Sequence, residues 1–202
     1  MTDRARRFYV GLSLGFVLLV FLGFWPNYFG PVLRGAYDRH WIFHVHGAVF
    51  LGWMALLVVQ TSLAARRRTR EHMALGRWGF VVGVAVFVLG VVVSIAIIRA
   101  GYADGEIASM PRALWSASAP LTDIVQFAIL LALGWRYRRK VEFHRRYMVL
   151  ATVAMLPAAT ARMRYLLGAW SFEMLFVMIV ALLVARDLGT LGRSTRRPSS
   201  AW

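Results

Sequence analysis

Long apolar runs separated by short arginine blocks set the pattern of this chain. The apolar runs cover about residues 8–26, 41–64, 78–98, 114–135, 147–166 and 170–186. A helix needs about 20 residues to cross the hydrocarbon core of a bilayer, so each run predicts a transmembrane helix. The first three contain no acidic or basic residue. The fourth holds Asp123, the fifth holds Arg162 and Arg164 near its end, and the short sixth holds Glu173. The expected fold is therefore an all-α polytopic membrane protein, a bundle of six transmembrane helices. A single domain spans residues 1–190, and a tail over 191–202, poor in apolar residues, is expected to be disordered.

The charges between the runs predict an orientation. Placing the N-terminus inside puts 18 basic residues in the inner segments and 4 (Arg34, Arg39, Arg99 and Arg112) in the outer loops. That bias follows the positive-inside rule and places both termini in the cytoplasm. Arg4, Arg6 and Arg7 before an apolar run resemble a signal peptide, but the run continues through Trp25-Pro26 without a small-residue cleavage site. It reads as a retained first helix. Trp25, Trp41, Trp78, Trp115, Trp135 and Trp170 all fall at predicted span ends, where indole rings favour the interface.

Composition narrows the function classes. Hydrophobic residues make up 59% and charged residues 16%, against about 25% charged in a soluble domain. The net charge of +15 does not point to nucleic acid, because the arginines flank apolar spans rather than line a soluble face. The expected partners are the lipid bilayer and other membrane subunits. The chain has no cysteine, which excludes disulfides, thiolate metal sites, Fe–S clusters and Cys nucleophiles. Arginine outnumbers lysine 23 to 1, the usage of a GC-rich bacterial genome, so the expected location is a bacterial inner membrane.

Two stretches repeat one device: Arg70-Glu71-His72-Met73-Ala74-Leu75-Gly76-Arg77 and Glu142-Phe143-His144-Arg145-Arg146-Tyr147-Met148. Each sets a histidine among arginines directly ahead of an apolar run. With His44-Val45-His46-Gly47, Gln60 and Arg162, these residues resemble a bacterial family of predicted multi-pass membrane proteins of unknown function. The resemblance covers about residues 40–187, and the basic residue that follows the first turn's histidine in that family is absent here. It implies a topology and a set of polar positions, and carries no activity.

Polar groups inside a span usually pair or face a polar cavity. His46, Asp123, Arg162 and Glu173 fall roughly 5–13 Å below the outer surface at about 1.5 Å rise per residue. They form a candidate buried polar cluster for a proton, metal, haem edge or quinone head group. The structural alternative is that Asp123 and Arg162 neutralise one another and lock the packing. His46, Trp53 and Gln60 recur every seven residues, a stripe expected to face the interior. His72 and His144 open the third and fifth spans. Two imidazoles from different helices on one side suit a b-type haem, with Arg70, Arg77, Arg145 and Arg146 beside them for the propionates. Their position in charged turns equally suits loop-ordering histidines. Nine scattered methionines read as span filler rather than a copper site, and no protein-only metal site is expected. No Ser/His/Asp constellation is present, and five histidines are too few for a His-rich diiron hydroxylase. Two classes remain: a redox or cofactor-binding membrane protein with a haem or quinone pocket, or a proton-coupled small-solute carrier or accessory subunit.

Overall fold

A computed structural model describes residues 3–103, 105, 109–163, 177, 178, 181, 182 and 184. The regular structure among the described residues is all helical, with no strand. The helices are α1 (Asp3–Phe24), α2 (Gly30–Leu33), α3 (Ile42–Ala65), α4 (Thr69–Ala103), α5 (Met110–Arg136), α6 (Val141–Met155) and α7 (Pro157–Thr160). Four segments are long and apolar enough to cross a membrane: Arg6–Leu33, Ile42–Ala65, Thr69–Ala103 and Ser118–Arg136. Most of the predicted sixth span, including Glu173, and the tail lie outside the described residues.

The bundle is apolar on its outside. On α4, Val81, Val84, Val88, Val92 and Ile95 recur at helical spacing, and all are exposed. The same helix turns Gly83, Val86, Gly90 and Val93 inward. Hydroxyls take buried places: Ser13, Ser94, Thr152 and Thr160 are all within the bundle. A soluble helix would present the opposite faces to solvent. An apolar surface of this extent needs a lipid environment, so the architecture is that of a multi-pass membrane protein.

Three element ends differ from the sequence expectation. The first span does not stop near residue 26. Pro26 lacks an N–H, so the helix passes through one π-turn, Trp25–Phe29, and resumes as α2 to Leu33. It then closes on Gly35, at φ 64°, with Gly35 N–H donating to Val32 and Ala36 N–H to Pro31. The third span starts earlier than residue 78, because the arginine-rich turn is already helical from Thr69. At 35 residues α4 is roughly 50 Å long, well beyond a hydrocarbon core of about 30 Å. The fifth apolar run is broken: α6 ends at Met155, α7 starts at Pro157, and a 3₁₀ turn covers Ala161–Met163.

The helices close into a ring. α1 packs on α3, α3 on α4, α4 on α5, α5 on α6, and α7 returns to α1. The return contact is backbone against backbone: a Cβ added at Gly23 would lie 2.4 Å from the Ala159 carbonyl oxygen. The core inside the ring includes Phe16, Val20, Trp53, Met54, Phe127, Leu131 and Leu156.

Candidate functional site

His72 and His144 occupy the same register on their helices. The His72 N–H donates to Arg68, and the His144 N–H donates to Lys140, so each histidine closes the first turn of its helix. A Glu–Arg pair ties down each turn: Arg68 with Glu71, and Arg145 with Glu142. Each ring then reaches back to the helix that precedes it. His72 Nδ1 lies 3.3 Å from the Gln60 carbonyl oxygen on α3, and His144 Nδ1 lies 2.9 Å from the Gly134 carbonyl oxygen on α5. The repeat seen in the sequence is thus a repeat of structure: helix, short turn, and a histidine bonded back to the last turns of the helix just left.

These bonds decide the tautomer. A carbonyl oxygen only accepts, so each Nδ1 carries the proton and each Nε2 keeps its lone pair in the neutral ring. No protein donor meets either Nε2 among the described residues. The two rings stand 6.2 Å apart between centroids, at 83°. Four helices therefore converge here, two giving imidazoles and two giving the carbonyls that orient them.

Gln60 contributes more than its backbone. Both polar atoms of its side-chain amide are buried with no hydrogen-bond partner among the described residues. A Cβ placed on Gly76, one turn beyond His72, would approach Gln60 Nε2 to 3.6 Å. An amide with two sealed and unused groups is costly in an apolar bundle. Beneath this level the core is filled. Trp53 Nε1 donates to Thr152 Oγ1 at 3.3 Å, Thr152 Oγ1 donates to the Met148 carbonyl, and Trp53 stands edge-on to Phe127. The His46–Trp53–Gln60 stripe lies along the interior face of α3, since Trp53 is buried and polar atoms of the other two are sealed.

The outer-half cluster is not assembled in the same way. His46 Nδ1 is buried with no hydrogen-bond partner among the described residues. Asp123 is half-buried on α5 and makes no ion pair among the described residues. Arg162 is exposed, donates to the Ala158 carbonyl, and lays its guanidinium 4.7 Å above the Phe24 ring. No contact joins His46, Asp123 and Arg162 among the described residues, and the expected Asp123–Arg162 bridge is not formed there. At that end the structure instead gathers Tyr28, Tyr37 and His44. The Tyr28 hydroxyl lies 3.1 Å from His44 Nδ1, and the Tyr37 ring lies 4.8 Å from the His44 ring. Burial, reinforced by Tyr28, raises the Tyr37 phenol above its ordinary pKa, so it stays a neutral donor at physiological pH. Sequence reasoning passed over Tyr28 and Tyr37; the only signal available was two tyrosines flanking a Gly-containing turn, which is a common pattern.

No group of three or more His, Cys, Asp or Glu side chains able to hold a metal ion occurs among the described residues. No family model matches the chain, and no curated protein or solved structure matches it either.

Proposed function

We propose that this chain is a six-crossing protein of the bacterial inner membrane, with both termini cytoplasmic, in which His72 and His144 would hold one b-type haem at the cytoplasmic side. The observation that carries the reading is the matched pair of Nδ1–carbonyl bonds. Ligating histidines characteristically donate their other ring N–H to a carbonyl or carboxylate, which fixes the ring and raises its basicity. Here both rings are prepared in that way and both Nε2 lone pairs are left over. The two rings, on different helices, stand 6.2 Å apart between centroids, so one group could be held by both.

A metal ion held by protein alone would need three or four ligands. Two histidines suffice where a macrocycle supplies the rest. The Gln60 amide offers a donor and an acceptor at the same site. Arg70 and Arg77 on α4, and Arg146 on α6, are exposed cations suited to propionates. Haem, when bound, would supply a one-electron couple. The chain's own carbonyls, at Gln60 and Gly134, orient the two imidazoles. Membership of the bacterial multi-pass family resembled by the histidine turns is part of the same proposal.

Visible spectroscopy of protein purified after haem-replete expression tests it. The reduced-minus-oxidised spectrum should show a low-spin bis-imidazole species. His72→Ala and His144→Ala should each abolish it, while His40→Ala leaves it intact. A colourless protein, or a spectrum indifferent to both substitutions, would overturn the assignment.

A further inference from the structure

We propose a second site, apart from the histidine pair: a hydrated proton-binding site in the opposite half of the bundle, formed by Asp123 of α5, His46 of α3 and the Ser94 hydroxyl of α4. Helix register brings these residues to one level. Gly83 of α4 meets Trp53 of α3 and Leu131 of α5, where an added Cβ would lie 3.0 and 2.6 Å from their side chains. Two helical turns away from the histidine pair, the same three faces carry Gly90, His46 and Ile124. The register holds there, since a Cβ on Gly90 would lie 2.6 Å from Ile124. Asp123 adjoins Ile124 and shares a helix face with Phe127, which is fully buried and edge-on to Trp53. Ser94 lies one turn beyond Gly90 on the same face of α4 and is buried.

Polar groups at this level are left over. His46 Nδ1 is sealed from solvent and unbonded, and the half-buried Asp123 carboxyl has no hydrogen bond or ion pair among the described residues. Pro120, inside α5, has no N–H, so the Ser116 carbonyl on the Asp123 face loses its usual donor. Ser94 Oγ donates to the Gly90 carbonyl at 2.8 Å and keeps its lone pairs. The imidazole and carboxyl are smaller than the indole and phenyl that fill the level below, and buried polar groups of this kind are characteristically bridged by water. No other titratable side chain intervenes along the described helices. α1 has none between Tyr9 and Tyr28, α4 none between Arg77 and Arg99, and α6 none beyond Tyr147. His44 is bonded to Tyr28, and Arg162 is turned to Ala158 and Phe24. With one proton, the Asp123–His46 pair is neutral overall whichever group carries it. With none, a carboxylate is stranded in an apolar bundle, which is costly. Uptake forms one O–H or N–H bond with a proton from solvent, and no electron moves. A hard metal cation would instead take about six or more oxygen ligands.

Dicyclohexylcarbodiimide tests the site, because it modifies protonated carboxyls in apolar surroundings and spares ionised ones. The full chain in detergent micelles is treated between about pH 5 and 9 and mapped by peptide mass spectrometry. Asp123 should be modified, with labelling that fades as pH rises, and Asp123→Asn should lose the adduct. His46→Leu removes the second proton carrier and the imidazolium that would steady the carboxylate. Labelling of Asp123 should then persist to a pH higher by about one unit or more. His46→Gln keeps a polar group at the same place and should give the same displacement. His40→Leu, at the end of the bundle, should leave the profile where it is. Sodium chloride in place of choline chloride at constant pH should give no protection. Protection by sodium would assign a metal ion and overturn the proton. Absence of labelling at Asp123 across the range, or a profile that both His46 variants leave unmoved or shift downwards, would overturn the site.

Discussion

At the residue scale, close approach decides more than charge. Gly23 faces the Ala159 backbone, whereas Gly83 faces the side chains of Leu131 and Trp53, at 2.6 and 3.0 Å from an added Cβ. Side chains can move and a packed backbone cannot. Gly23→Ala is therefore expected to destabilise the bundle by about 1–3 kcal/mol, and Gly83→Ala by less. Thermal midpoints in detergent measure both, and an equal loss at the two positions would refute the distinction. Thr152→Val removes the only acceptor of the buried Trp53 N–H among the described residues. It should cost about 1 kcal/mol, and less in a Trp53→Phe background, where that donor is absent. Asp123 and Arg162 show what the sequence made legible and what it did not. Position along a run fixes depth in the membrane, and both groups do lie inside apolar runs. Depth says nothing about azimuth around each helix axis, and Arg162 turns to Ala158 and Phe24 instead. With no contact between them, Asp123→Asn and Arg162→Gln should be additive within about 0.5 kcal/mol. A coupling energy well above that would restore the ion pair.

At the element scale, the apolar runs and their arginine flanks were readable because hydropathy is a local property. The element ends were less so. Pro26 reads as a stop, yet a single π-turn carries the helix through it. The arginines of residues 70–77 read as a loop, yet Arg70 and Arg77 are exposed on the first three turns of a long helix. That correction moves His72 from a turn onto a rigid scaffold and gives it the same register as His144. Neither Nδ1 acceptor was legible, because both are backbone carbonyls and every residue offers one. The Trp53–Thr152 bond joins residues 99 apart, beyond any periodicity. Met73→Pro would remove the i→i−4 bond of the α4 turn that carries His72. It should abolish the proposed haem spectrum while leaving the far-ultraviolet helical signal nearly unchanged, and retention of the spectrum would show that the turn is dispensable.

At the scale of the whole molecule, the proposed orientation makes its own prediction. Reporter fusions after residues 70 and 140 should report the cytoplasm, and fusions near 35 and 105 the opposite side. A cytoplasmic signal near residue 105 would exclude the six-crossing arrangement. The ring closure adds a consequence in time. The first helix finds one wall of its groove in α3 soon after it emerges, but its contact at Gly23 awaits Ala159. Roughly 135 residues separate the two, which at about 5–20 residues per second takes about 7–27 s of synthesis. During that interval the small-residue face of the first helix stands open in the membrane, available to lipids, to insertion factors or to another nascent chain. The α7 segment is thus the one that seals the first helix, and a chain truncated before Pro157 would be released with that seam unclosed.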